Sequence, residues 1–175
     1  MNRMTIVFQY GSNCFSTRLN SPDRLNGDAV FLGRADLEGY RLVFDVWSDG
    51  NACAASDIIE SPGHTVQGVL YEVPDFLMSR TTTPPGRRSF DSVEGSRYER
   101  HNVSVHRRVD ASIMGAITYV AKASDRQQGI RTSFAYVEHI IRGLRESGAD
   151  PKYIEEIKRE ASESNPAIAN DIARL

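Results

Sequence analysis

Two short segments of the sequence combine residue types that can bind an anion and move a proton. The first is Tyr10-Gly11-Ser12-Asn13, which follows an apolar, β-branched run at residues 5–8. Glycine can adopt a positive φ and has no Cβ, so a ligand can lie against the backbone at Gly11, and Ser12 and Asn13 favour turns and helix N-caps. This pattern predicts a strand that ends in a loop of exposed amides, although on this signal alone a turn without a ligand is the simpler interpretation.

The second segment is Glu94-Gly95, which follows a Pro- and Arg-containing stretch at residues 79–89. A carboxyl group whose pKa is raised by apolar neighbours can transfer protons at neutral pH. On spacing alone, a surface glutamate beside a turn glycine is the simpler interpretation of Glu94. Residues 79–89 are predicted to be a mobile loop that acts as a lid or specificity loop, with disorder lacking any function as the alternative.

Composition narrows the class of protein. A chain of 175 residues with 40% hydrophobic residues has the size of one domain, spanning residues 1–175. The net charge of -2 argues against nucleic acid as a partner. Neither a signal-peptide pattern nor an apolar run of about 18 residues is found, so we expect a cytoplasmic protein that does not insert into a membrane. Two cysteines, Cys14 and Cys53, fit reduced thiols better than a disulfide framework.

The elements that position these two segments are predicted to be strands in the first part of the chain and helices in the last part. Strands are expected at residues 5–10, 29–32, 39–44, 52–59, 65–73, 102–106 and 113–121, with turns at 48–51 and 61–63. A helix around residues 134–144 should end at Gly148, a second should begin at Asp150-Pro151, and a short last one should follow Asn165-Pro166. This order argues for an α+β fold.

An ordered set of motifs resembles the γ-glutamylcyclotransferase-like family, which includes the plant AIG2-like proteins. The matching pieces are Tyr10 to Asn13, the strands at 39–44 and 66–73, the turn at 61–63, Glu94-Gly95 with Tyr98, Arg100 and Val103 behind it, and a late Tyr136. The resemblance covers nearly the whole chain. It implies a small mixed, partly closed β-barrel-like sheet with C-terminal helices.

The same resemblance implies an activity and a site. Members of that family cyclise a γ-glutamyl amide to 5-oxoproline and release an amine or amino acid, with no metal or cofactor. By this resemblance, Glu94 matches the residue that acts as general acid/base in the family. The segment that holds the γ-glutamyl group would consist of Val7, Phe8, Gln9, Tyr10, Gly11, Ser12 and Asn13, with Tyr136 as a further pocket residue. The expected partner is a small γ-glutamyl molecule, and a homodimer stays open.

The sequence leaves the substrate and two alternative functions open. Gln9, Cys14 and the long stretch before Glu94 depart from the family, so the substrate can be a γ-glutamyl amino acid, a γ-glutamylamine or a γ-glutamyl group on a carrier. Cys14 suggests a thiolate nucleophile, but a small buried thiol is the simpler interpretation. The histidines, which are His64, His101, His106 and His139, show no metal-ligand spacing and are interpreted as structural or surface residues. A non-catalytic binding module of the same fold is the alternative from another class of function.

Overall fold

Five strands form the framework of the molecule in the computed structural model, which describes residues 3–175. They are β1 (Met4–Gln9), β2 (Val30–Ser48), β3 (Cys53–Pro74), β4 (Tyr98–Arg107) and β5 (Ile113–Ala121). The strands close into a barrel in the order β1-β3-β2-β4-β5. The helices are α1 (Ser16–Leu19), α2 (Phe90–Glu94), α3 (Phe134–Glu146), α4 (Pro151–Ser164) and α5 (Ala169–Ile172). The predicted α+β class with a barrel-like sheet and C-terminal helices is confirmed, and the sheet is fully closed.

The first strand is held on both edges. It runs antiparallel to β3, from Met4 opposite Pro74 to Gln9 opposite Val69, and it meets β5 in parallel where Val7 lies opposite Ile117. Its side chains are buried from Val7 onwards. Because β1 is enclosed in this way, the loop after it leaves the barrel at a fixed position.

One long hairpin replaces several of the predicted strands. The turn predicted at residues 48–51 is confirmed, since β2 ends at Ser48 opposite Cys53. The turn predicted at 61–63 is wrong, because β3 continues through it. Tyr40 lies opposite Glu60 and Glu38 opposite Thr65, so residues 61–64 form a bulge facing a single residue of β2. The bulge accommodates a proline, which cannot donate to the ladder.

The C-terminal helices begin where their capping residues predict. Ser133 accepts a hydrogen bond from the N–H of Tyr136 at the start of α3, and Asp150 accepts one from Lys152 ahead of Pro151 at the start of α4. Asn165 accepts from Ala167 at the start of a short 3-10 turn that leads into α5. No helix within residues 3–175 is both long and apolar enough to cross a lipid bilayer.

The loop at residues 79–89 contains neither a helix nor a strand. The hydroxyl groups of Thr82 and Thr83 both donate to the carbonyl oxygen of Phe76, and Arg87 forms an ion pair with Asp28. These contacts tie both ends of the loop to the body of the protein. Its mobility and its action as a lid stay predictions.

Helix α3 packs unusually close to the loop that follows β1. A Cβ built on Gly143 would lie 2.2 Å from the carbonyl carbon of Cys14 and 2.3 Å from the backbone nitrogen of Phe15. Real Cβ atoms do not approach backbone atoms this closely, so only glycine allows this contact. The same helix contributes Val137, Ile140 and Leu144 to the hydrophobic core.

We therefore expect Gly143→Ala to lower the free energy of unfolding by about 1–3 kcal/mol, because the new methyl group overpacks the contact. In an open helix position the same change would raise stability by up to about 1 kcal/mol. Urea titrations of the two proteins measure the difference. Gly115→Ala is the control, since a Cβ added at Gly115 would have no atom within 4 Å. A Gly143→Ala variant as stable as wild type would contradict the close packing.

Candidate functional site

The loop after β1 is fixed by three buried hydrogen bonds. The Tyr10 hydroxyl donates to the carbonyl oxygen of Tyr119 at 2.6 Å, the Tyr71 hydroxyl donates to the carbonyl oxygen of Asn13 at 2.8 Å, and the Cys14 thiol donates to the carbonyl oxygen of Gln9 at 3.1 Å. The acceptors are carbonyl oxygens of β5, of the loop itself and of the last residue of β1. The N–H groups of Cys14 and Phe15 donate to the carbonyl oxygens of Gly11 and Ser12, whereas the amides before them are not used by these bonds.

Three of these amides have no backbone acceptor. Within the described part of the chain, the N–H groups of Gly11, Ser12 and Asn13 donate no backbone hydrogen bond, and no side chain caps the 3-10 turn Ser12–Cys14. Gly11 has a φ of -100°, so the loop does not use the positive φ that glycine permits. The absence of a Cβ allows the loop to pack against β3, because a Cβ on Gly11 would lie 2.2 Å from the Ser56 Oγ.

The second predicted segment meets this loop directly. The Asn13 Nδ2 donates to the Glu94 Oε1 at 3.1 Å, across 81 positions of the chain. The Arg24 Nη1 in turn donates to the Asn13 Oδ1 at 3.2 Å. Asn13 is therefore held in one orientation, with its amide hydrogens towards the carboxyl group of Glu94.

Glu94 lies at the end of α2, which the barrel holds in place. Asp91 of the same helix receives two hydrogen bonds from the Arg100 guanidinium, at 2.8 and 2.7 Å, and one from the Tyr119 hydroxyl at 2.8 Å. Ser89 caps the helix by accepting from the N–H of Ser92. A bidentate arginine and a cap compensate for the short length of a five-residue helix.

The carboxyl group of Glu94 sits where a proton can be both gained and lost. Burial raises its pKa to about 7 from a usual value of 4.5, against the hydrogen bond from Asn13 and the positive charge of Arg24, which lower it. The residue as a whole is half-buried because one side of it faces a cleft, while its carboxyl group has protein on most sides. A group with this pKa exchanges protons readily near neutral pH.

The opposite wall of the site centres on Ser56 of β3. The Tyr136 hydroxyl accepts from the Ser56 N–H at 3.1 Å and lies 3.0 Å from the Ser56 Oγ, and the Tyr98 hydroxyl donates to the Ser56 carbonyl oxygen at 2.7 Å. The next residue, Asp57, is fully buried, forms an ion pair with Arg126 at 2.8 Å and anchors this strand.

These groups enclose a small cavity of about 30 Å³, room for about one water molecule. Its lining consists of Gln9, Tyr10, Gly11, Ser12, Asn13, Ser56, Glu94, Tyr98, Tyr119 and Tyr136. Ser12, Asn13, Glu94, Tyr98 and Tyr136 also line an adjoining open cleft of about 780 Å³. A small organic ligand can therefore reach the inner groups only from the cleft.

The structure brings together most, but not all, of the predicted site residues. Gln9 to Asn13, Glu94 and Tyr136 line the cavity. Val7 and Phe8 do not, because both are fully buried in the hydrophobic core. Sequence reasoning missed Ser56 as a site residue and gave Tyr98 no role there. The only sequence signal for Ser56 is a Ser-Asp pair inside an otherwise apolar run.

Cys14 has the surroundings of a structural thiol. It is 2% exposed, and burial raises its pKa far above the neutral range. A thiol in this state is a poor nucleophile. Among the described residues, no group of three His, Cys, Asp or Glu side chains is placed to hold a metal ion. Of the histidines, His139 lines the open cleft and stacks on Phe15.

Comparisons with known proteins place these residues in a family context. The family model described as gamma-glutamyl cyclotransferase, AIG2-like, matches residues 7–137. A protein of solved structure named gamma-glutamyl cyclotransferase is 20% identical, with 99% of this chain and 100% of that chain covered and a TM-score of 0.74. A protein from Homo sapiens, uncharacterized protein loc79017, is 22% identical, with coverages of 89% and 86% and a TM-score of 0.74. YkqA from Bacillus subtilis is 23% identical, with coverages of 93% and 55% and a TM-score of 0.73. No curated protein matches the chain.

We expect Glu94→Gln to raise the free energy of unfolding at alkaline pH. Ionised Glu94 is disfavoured in the folded state, so wild type loses stability as pH rises from about 4.5 through about 7, whereas glutamine does not ionise. The gain should be close to zero near pH 4 and on the order of 1–3 kcal/mol at pH 8, after allowance for solvent screening. Urea titrations at several pH values measure it.

The control for this experiment is Glu99→Gln, the same change at an exposed residue five positions later. It should alter the free energy of unfolding by a small amount that does not grow with pH. A Glu94→Gln difference that is also independent of pH would contradict the raised pKa of Glu94.

Proposed function

Because the chain belongs to the gamma-glutamyl cyclotransferase, AIG2-like family, we propose that it cyclises a γ-glutamyl amide to 5-oxoproline and releases the amine or amino acid. Glu94 is the proposed general acid/base. The observation that carries the proposal is the hydrogen bond between Asn13 and Glu94, which sets a proton-transfer group beside unpaired amides in one cavity. The reaction needs no cofactor, because the nucleophile and the carbonyl group belong to the same substrate.

The proposed reaction forms one carbon–nitrogen bond and breaks another. The α-amine of the glutamyl group attacks its own γ-carbonyl carbon, and the carbonyl oxygen becomes an oxyanion. Glu94 accepts the proton that the attacking amine must lose and then donates it to the leaving nitrogen, whose bond to carbon breaks as the carbonyl re-forms. Because the α-amine is mostly an ammonium at neutral pH, it first loses one proton to solvent, and the released amine takes up one proton from solvent after it leaves. The second proton, lost as the ring closes, is the one that Glu94 carries to the leaving nitrogen, and a single carboxyl group with a pKa of about 7 is sufficient for that transfer.

The loop amides have two negative groups to bind in this scheme. The γ-glutamyl group carries an α-carboxylate throughout, and an oxyanion develops at the γ-carbon during ring closure. The N–H groups of Gly11, Ser12 and Asn13 are the proposed donors for both. Loss of one preorganised donor to an oxyanion typically costs about a hundredfold or more in rate.

The aromatic wall has a positioning role in this proposal. Ring closure requires the amine and the carbonyl carbon to approach to about 3 Å, and a folded chain held in this way reacts much faster than a free one. Tyr136 and Tyr98 narrow the cavity from the side opposite the loop, and both hydroxyls are fixed by Ser56. The glutamyl chain is larger than the inner cavity, so in this proposal it lies at the opening between the cavity and the cleft, which both rings also line, and the rings restrict it there to compact conformations.

We expect purified protein to release 5-oxoproline from at least one member of a panel of γ-glutamyl amino acids and γ-glutamylamines. Glu94→Gln should lower kcat by about 10²–10⁴-fold, since it can neither accept nor donate the proton. Glu99→Gln should keep wild-type turnover. Wild-type inactivity on every member, with measurable binding, would favour the binding module, and an active Glu94→Gln variant would refute the assigned role.

Cys14→Ser should leave kcat within a few-fold of wild type. The serine hydroxyl can donate to the carbonyl oxygen of Gln9 as the thiol does, and the buried thiol has no proposed role in the chemistry. The 5-oxoproline assay measures this directly. A loss of a hundredfold or more in a folded Cys14→Ser variant would revive the thiolate hypothesis.

A further inference from the structure

The open cleft beside Glu94 carries a concentration of positive charge. Four arginines line it without an ion pair to any carboxylate in residues 3–175, and we call them the arginine rim: Arg18, Arg24, Arg80 and Arg88. The chain as a whole has a net charge of -2. This local excess is therefore not a reflection of the composition.

Neutral oxygen atoms, and not carboxylates, position three members of the arginine rim. Arg18 donates to the Asn51 Oδ1 at 2.8 Å and Arg24 to the Asn13 Oδ1 at 3.2 Å. Arg88 donates to two backbone carbonyl oxygens, at 3.1 and 2.8 Å. The guanidinium groups are thus oriented by neutral groups and form no ion pair with a carboxylate of the described residues. The Arg18 Nε has no partner among the described residues and is withdrawn from solvent.

Neighbouring groups respond to this charge. The pKa of Arg24 is lowered by burial and then by the positive charge of Arg18. The pKa of His139, on the other side of the cleft, is lowered by burial and then by Arg18 as well. Three carboxyl groups also line the cleft: Asp49 pairs with Arg97, whereas Asp23 and Glu94 form no ion pair and raise the pKa of Arg24 from a longer distance. Five arginines, Arg97 included, thus face three carboxyl groups, and the cleft keeps an excess of positive charge.

The arginine rim lies on the side of the site that would face the leaving group of the substrate. In the proposed function the γ-glutamyl group lies against the amides of Gly11 to Asn13, and its α-carboxylate is bound there. Glu94 and Asn13 line both the inner cavity and the cleft, so the nitrogen that leaves must point from the cavity towards the cleft. The substituent on that nitrogen then lies among the arginines.

We propose, on the basis of the proposed function, that the substrate is a γ-glutamyl amide whose leaving group is acidic and carries two or more carboxylates. Arginine binds carboxylates through paired, charge-assisted hydrogen bonds, and several guanidinium groups without an ion pair can bind more than one such group. A neutral amine would gain nothing from the rim. A cationic leaving group would be repelled.

Three substrates that differ in the charge of the leaving group test this inference. They are γ-glutamyl-ethylamide, γ-glutamyl-alanine and γ-glutamyl-glutamate, whose leaving groups carry zero, one and two carboxylates. We expect kcat/KM to rise in that order, by about tenfold or more between the first and the last. Raising the salt concentration from about 20 to about 500 mM should reduce the difference, because salt screens charges in an open cleft.

A variant of the arginine rim separates binding from a general loss of structure. Arg18→Gln should reduce the ratio of kcat/KM between γ-glutamyl-glutamate and γ-glutamyl-ethylamide by about tenfold. Arg159→Gln, which removes the same charge from an exposed position on α4, should leave the ratio unchanged. Equal kcat/KM values for the three substrates in wild type would overturn the inference, as would an unchanged ratio in a folded Arg18→Gln variant.

Calorimetric binding to Glu94→Gln distinguishes failure of this inference from failure of the proposed function. Tighter binding of γ-glutamyl-glutamate than of γ-glutamyl-ethylamide, weakened by adding Arg18→Gln, supports the arginine rim even if wild type turns over neither. Turnover of all three substrates without a charge preference would refute the rim alone. Absence of both binding and turnover for all three substrates would refute both, whereas turnover of γ-glutamyl-ethylamide with neither binding nor turnover of γ-glutamyl-glutamate would refute the rim alone.

Discussion

The hydrogen bond from Asn13 to Glu94 is the contact on which the arrangement of the site depends. Asn13 belongs to the loop after the first strand, and Glu94 is the last residue of a one-turn helix that follows the third strand in the chain. Neither segment could hold the other in place, because each is too short to be stable alone. The closed barrel supplies the rigidity, and this bond converts it into a fixed distance between a carboxyl group and the loop amides.

The buried polar groups of Ser56 and Asp57 each have defined hydrogen-bond partners beside the site. Ser56 uses its N–H and its carbonyl oxygen for two tyrosines, while Asp57 accepts from the N–H of Ala121 and from Arg126. Buried polar groups are tolerated in a core only when they have partners, and a fully partnered network favours one arrangement of its members. The strand at Ser56 is thereby fixed to β5, and the wall of the cavity is fixed with it.

Much of the fold followed from local signals, and the failures have physical causes. The caps of α3 and α4 and the turn after Ser48 were predictable, since each is encoded within a few residues. The turn predicted at 61–63 was wrong because pairing on both sides of a Pro-Gly pair outweighs its local preference, and a bulge absorbs it. Asn13 was identified from the loop sequence and Glu94 as a catalytic group from the resemblance, but the arginines of the cleft were not identified. Their importance comes from the carboxylates they lack, which only the folded chain reveals.

The parallel contact between β1 and β5 bears on how the polypeptide acquires its shape during synthesis. The Thr118 hydroxyl donates to the carbonyl oxygen of Phe8 across 110 positions of the chain. One edge of the N-terminal strand therefore has no native neighbour until more than half of the protein has left the ribosome. Such distant pairing is slow, and an uncovered strand edge invites association with other nascent chains. The closed barrel therefore makes the cavity rigid in the folded protein, but it leaves β1 open to aggregation until β5 has been synthesised.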